Sequence, residues 1–82
     1  MQASATHPAA TESLDARGLL CPEPLMLVRN RLRAMASGEV LAVVATDPST
    51  VRDFANLCRF MGHTLVDQEL ADGEFRFWIR KA

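Results

Sequence analysis

Val40-Leu41-Ala42-Val43-Val44-Ala45 is an unbroken apolar run, rich in the β-branched residue that favours extended backbone. A run this short and this apolar suits a strand covered on both faces, as in a partly parallel sheet that carries helices. Past it, Asp47-Pro48-Ser49 is a helix start, with Pro early in the first turn and Thr50…Asp53 spaced as a capping box. Val51, Phe54, Ala55, Cys58 and Met61 then recur at helical period, and Gly62 ends the segment. Thr64 to Leu70 is a strand centred on Leu65 and Val66. Asp72-Gly73 is a hairpin turn, after which Glu74 to Arg80 alternates, with Phe75, Phe77 and Ile79 on one face and Arg76, Trp78 and Arg80 on the other.

In the other direction, Gly38 closes a helix that runs back from about Met35 to Cys21-Pro22-Glu23-Pro24, with Leu25, Val28, Leu32 and Met35 as its apolar stripe. Ser13 to Arg17 alternates as a short first strand, broken by Gly18. The predicted order is β-α-β-α-β-β: an α/β two-layer sandwich, a mixed four-stranded sheet with two helices on it. Residues 1–11 are Ala/Ser/Thr-rich, without a basic start or an apolar run, and read as a flexible tail rather than a signal peptide. Residues 12–82 form a single domain.

An 82-residue chain buries only roughly 60% of its unfolded surface, so it has a thin core and no room for a deep substrate cavity. Its chemistry belongs at a surface, against another molecule. The net charge of −1 supplies no general attraction to nucleic acid, and Trp78 alone is no stacking platform, so no direct nucleic-acid binding is expected. Nothing approaches the about 20 apolar residues of a membrane span. No export signal accompanies Cys21 and Cys58, so both are expected to be free thiols in a reducing cytoplasm.

Cys21 is the residue with chemistry. With Pro22 at the first helical position, Cys21 falls at the N-cap, and its sulfur faces the backbone N–H groups of Glu23 and Leu25, because Pro24 supplies none. That placement lowers a cysteine pKa from about 8.5 toward neutrality. Arg17 adds positive charge and Glu23 opposes it. Set against this is the reading of Cys21 as a poor cap or a small buried hydrophobe. Cys58, on the apolar stripe of the second helix, is assigned to the core. With His63 it makes two potential ligands, too few for a zinc site, so no metal or cofactor is expected. No His, Asp or Asn stands at a spacing that suggests a base for Cys21, and Pro24 occupies the place of a resolving cysteine. What remains is a thiol that exchanges sulfur with a partner. Arg29 and Arg33, four apart on one side of the first helix, are either a solvated face or a patch for an acidic partner.

The run Leu14-Asp15-Ala16-Arg17-Gly18-Leu19-Leu20-Cys21-Pro22-Glu23-Pro24 resembles the signature of the TusA/SirA sulfur carriers. The likeness continues through Gly38-Glu39, Asp47-Pro48, Thr50, Arg52-Asp53, Cys58, Phe60-Met61 and His63 to Ile79-Arg80-Lys81. It is nearest the TusA branch in the Phe60-Met61…His63 region and the Arg-Lys end. The resemblance implies the same β-α-β-α-β-β sandwich. It also implies that Cys21 takes sulfane sulfur as a persulfide from a cysteine desulfurase and hands it to a downstream sulfur-relay protein complex. In the TusA branch that relay ends at wobble 2-thiouridine in tRNA. A competing reading from another class is a non-catalytic interaction or regulatory module in which Cys21 only caps the helix, and a third is a carrier for another sulfur pathway.

Overall fold

A computed structural model describes residues 8–82; the expectation of a flexible tail concerns, for residues 1–7, positions outside the described part. The elements follow in the order β1 (Glu12–Ala16), α1 (Glu23–Ala34), β2 (Val40–Ala45), α2 (Thr50–Met61), β3 (Thr64–Ala71) and β4 (Glu74–Arg80). The strands form one sheet in the order β1-β2-β4-β3, with β1 parallel to β2 and the other pairs antiparallel. Thr11, just ahead of β1, already joins the sheet edge: its N–H donates to the Val40 carbonyl (2.8 Å) and its hydroxyl accepts from the Val40 N–H (3.2 Å).

Both helices lay their apolar sides on one core. Val28 and Leu32 come from α1 and Met35 from its C-cap, Phe54, Leu57 and Cys58 from α2, and Ala16, Leu41, Val43, Ala45, Phe77 and Ile79 from the strands. Phe54 and Phe77 meet edge to face at 4.7 Å between ring centres, an arrangement worth about 0.5–1.5 kcal/mol beyond the area buried. The α2 stripe differs from the periodic reading at its margins. Leu57 is buried, whereas Val51 and Met61 are each 40% exposed. Gly62 ends α2 in the left-handed region (φ 76°), where it carries no Cβ penalty. Asp72 and Gly73 both have positive φ (56° and 76°), as a two-residue hairpin matched to strand twist requires.

β2 corrects one expectation. Leu41, Val43 and Ala45 are buried, but Val40, Ala42 and Val44 are only half-buried, because helices cover a single face of the sheet. The run is uniformly apolar although its environment is not. At the end of the sheet where α1 stops, Lys81 closes that helix: its ammonium donates to the carbonyls of Leu32 (2.7 Å) and Met35 (3.2 Å). Cations at this end also complement the helix dipole. Beside it, His63 Nδ1 accepts the Ala82 N–H (3.0 Å).

Candidate functional site

The opposite end of the sheet carries the candidate site. The β1–α1 loop and the β2–α2 loop leave the carboxyl ends of two adjacent parallel strands, the place where α/β sheets usually present their reactive groups. Cys21 lies in the first loop and is exposed. Asp47, in the second, joins the two: one carboxylate oxygen accepts the Cys21 N–H (2.7 Å) and the other the Ser49 N–H (3.0 Å). These two backbone donors hold the Asp47 carboxyl below its ordinary range. The Gly18 N–H, bonded to the Thr46 hydroxyl (2.9 Å), fastens the same loops a second time.

Two expectations about Cys21 are overturned here. It is not the N-cap of α1. The helix begins at Glu23 with Pro22 as the cap residue and Pro24 buried in the first turn, so Cys21 sits one residue outside. The Cys21–Pro22 peptide is cis. The Glu23 N–H, assigned from sequence to the sulfur, goes to the Leu20 carbonyl (2.9 Å). Nor is the thiol acidified. Partial loss of water around the sulfur pushes its pKa up, the hydrogen bond to the Asp53 carboxylate and that group's charge add to the rise, and Asp47 contributes more. Only the Ser49 hydroxyl opposes them.

Asp53 is the neighbour that sequence reading placed elsewhere. Thr50 lies inside α2 rather than at its cap, and its hydroxyl donates to the Asp47 carbonyl (2.7 Å). The Asp53 carboxylate therefore does not serve a capping box. One oxygen stands 3.5 Å from Cys21 Sγ and accepts the thiol hydrogen bond, and the other faces Arg52 Nε at 3.7 Å. Cys21 and Asp53 are 32 positions apart, which no local spacing rule detects. The Ser49 hydroxyl beside them is buried and has no bond partner in this geometry.

Arg17 does not reinforce the thiolate either. Its guanidinium is tied to Asp15 (2.8 Å) and Glu74 (3.2 Å), and this pairing holds the Asp15 carboxyl down at about 2. Glu23 is exposed at the first position of α1. Arg29 and Arg33 are exposed on α1, and Arg29 lines a shallow groove between the helices with Leu25, Met26, Asp53, Asn56, Leu57 and Phe60. Asp53 thus borders both the sulfur and this groove. Met26 is 50% and Phe60 89% exposed. The signal for them was their apolar character off the periodic stripes. Cys58 is 5% exposed, and burial pushes its thiol up to about 11, so it is a core residue. Among the described residues no group of His, Cys, Asp and Glu is arranged to hold a metal ion, and no helix is long and apolar enough to cross a membrane.

This geometry can be set beside known proteins. Residues 12–81 match the family model described as sulfurtransferase TusA. The sulfur carrier protein TusA of Pseudomonas paraeruginosa (strain DSM 24068 / PA7) is 51% identical over 76 residues, covering 93% of this chain and 95% of that protein. The sulfur carrier protein TusA of Pseudomonas aeruginosa (strain LESB58) is 53% identical over 68 residues, covering 83% and 86%. In fold, the chain is similar to the crystal structure of a SirA-like protein from Desulfitobacterium hafniense. The TM-score is 0.77 at 21% identity, over 84% of this chain and 95% of that one. By family model and by identity over nearly its whole length, the chain belongs to the TusA sulfurtransferase family.

Proposed function

We propose that this chain is a cytoplasmic sulfur carrier. It accepts sulfane sulfur from a cysteine desulfurase as a persulfide on Cys21 and passes it to a downstream sulfur-relay protein complex. The observation that carries the reading is one exposed thiol at the tip of a small sandwich, fixed by a backbone bond to Asp47. The groove between the helices, lined by Leu25, Arg29, Asp53 and Phe60, adjoins it through Asp53. A thiol so placed is reached by another protein's sulfur and leaves specificity to the docking surface. The family match supports sulfur as the cargo, and the resemblance to the TusA branch supports wobble 2-thiouridine in tRNA as its destination. Pro22 and Pro24 shape the helix start around Cys21. The exposed face of α1 with Arg29 and Arg33 meets an acidic surface of the donor or the acceptor, with Glu23 and Arg17 at its border.

The test is intact-protein and peptide mass spectrometry after incubation with a cysteine desulfurase and free cysteine. One added sulfur atom on the peptide containing Cys21, removed again by a relay acceptor, is the expected result. Sulfur found only on Cys58, or on neither thiol, would remove the reading.

A further inference from the structure

The Cys21 sulfur is bounded by more acid than base. Asp53 reaches it from the first turn of α2 at 3.5 Å, with its side chain only 17% exposed. Asp47 holds the backbone N–H of the same residue from the β2–α2 loop. Glu23 follows on α1. Of the nearby cations, Arg17 is engaged by Asp15 and Glu74, Arg52 lies on the far oxygen of Asp53, and Arg29 lines the adjoining groove. A carboxylate that accepts a thiol hydrogen bond stabilises S–H and repels S⁻. The Ser49 hydroxyl, buried and unpartnered beside it, is the donor left for a charged sulfur.

We propose that Asp53 is a positioning residue for sulfur transfer: its carboxylate holds the unloaded Cys21 as a neutral, oriented thiol and loses its hold once sulfur is loaded. Building on the carrier reading above, the transfer balances without an oxidant. Cys21 Sγ attacks the outer sulfur of a donor persulfide, R–S–SH, and forms the new S–S bond. The donor's own S–S bond breaks, its electron pair leaves on R–S⁻, and the proton given up by Cys21 ends there as R–SH. The reactive outer sulfur of the loaded carrier then stands one S–S bond, about 2 Å, beyond Sγ. It has no S–H at Sγ for Asp53 to accept and is farther from that charge. The empty carrier is thereby kept from indiscriminate alkylation and oxidation, which act on thiolates, while the loaded one is not restrained.

The experiment is the pH dependence of Cys21 alkylation by iodoacetamide in the full chain, read by peptide mass so that Cys58 is scored separately. Asp53→Asn keeps shape and removes charge. Its alkylation midpoint should fall by about one pH unit, a tenfold gain in thiolate at neutral pH. A less basic thiolate is also a weaker nucleophile, by about threefold for that shift. The variant should therefore react about threefold faster than the parent at neutral pH and about threefold slower on the alkaline plateau, so that the two profiles cross. Asp53→Glu should return the profile toward the parent. Asp53→Ala, which opens space instead, should cross in the same sense, and alkylation of the loaded persulfide should be unchanged in Asp53→Asn. Superimposed profiles, or a rise on both limbs as a merely loosened loop would give, overturn the proposal. So does a persulfide whose profile shifts as the thiol's does. No donor protein enters the thiol arm, so failure there is distinct from failure of Cys21 to take up sulfur.

Discussion

Cys21 and Cys58 are the two thiols of this chain, and both are pushed toward the neutral form, Cys58 by loss of water alone and Cys21 by loss of water joined to nearby carboxylates. Cys58 lies among Val28, Leu32, Phe54 and Phe77 in the shared core, where loss of water alone pushes its pKa up to about 11. Cys21 stands at the carboxyl ends of the parallel strands, open to solvent, where a reduced share of water combines with the Asp53 carboxylate. The first restraint is a property of the fold and yields only to unfolding. The second comes only in part from loss of water, and the share added by the Asp53 carboxylate is one that a partner, a substitution or a change in the sulfur itself can remove. A small domain thus separates its exposed thiol from its buried one by what surrounds each sulfur.

Replacing Cys21 should have the most drastic consequence. Cys21→Ser is expected to abolish sulfur loading with no fall in melting temperature. The bond to Asp47 uses the main chain, which serine retains, and an exposed site tolerates the smaller oxygen. Labelled sulfur still retained on the chain after this change would move the carrier role to Cys58 and erase the distinction.

Much of this division was legible in the sequence, and the parts that were not share a cause. Periodicity located both helices, the Asp72-Gly73 hairpin and Cys58 in the core, because each is a repeat or a turn signal read along the chain. The position of Cys21 at a helix tip was read from Pro22 and Pro24, one residue out of register, because the Leu20 carbonyl takes the Glu23 N–H and starts the helix later. Asp53 could not be read as a neighbour of the sulfur. Its spacing from Thr50 fits a cap equally well, and only the packing of α2 beside α1 brings it to Cys21. The sign of the thiol's pKa shift was missed because the local dipole was visible in sequence, whereas the loss of water around the folded sulfur and the tertiary carboxylate were not.

The next effect tests whether the exposed side of α1 is a docking face. Arg29 and Arg33 are exposed on α1, away from the buried Val28 and Leu32. Changing both to Glu should slow loading or unloading severalfold, most at low ionic strength, where exposed charges steer encounter. The melting temperature should stay unchanged. Rates measured separately with desulfurase and with acceptor, at low and high salt, decide it. Two rates that neither fall nor respond to salt would leave this face as ordinary solvated surface. Cys58→Ala is the converse test. It should cost about 1 kcal/mol through lost packing, lowering the melting temperature by about 4–8 °C in a domain this small, while the folded protein loads sulfur at the parent rate. Normal stability with failed transfer would instead make Cys58 a second station for sulfur.

The smallest effect belongs to the end of the sandwich farthest from Cys21. His63 Nδ1 accepts the Ala82 N–H, so its proton resides on Nε2, which is buried without a partner. Reduced solvation, then the charge of Lys81, lowers its pKa below the ordinary value of 6.5. The folded state therefore binds this proton less readily than the unfolded chain does. The stability it contributes is fully present above about 6.5 and declines as pH falls through the interval down to the lowered folded value. Protonation would turn Nδ1 from acceptor to donor and release Ala82, next to the Lys81 ammonium that closes α1. Denaturant midpoints measured at neutral and mildly acidic pH should show a modest fall for the parent and a smaller one for His63→Gln, which keeps an acceptor without a titration in this range. Since Cys21 lies at the other end of the strands, alkylation of its thiol at each pH should be the same in His63→Gln as in the parent. Equal falls in the two midpoints would assign the acid sensitivity to the carboxylates of the Cys21 end, Asp15 and Asp47, whose lowered pKa values also make stability decline as pH falls.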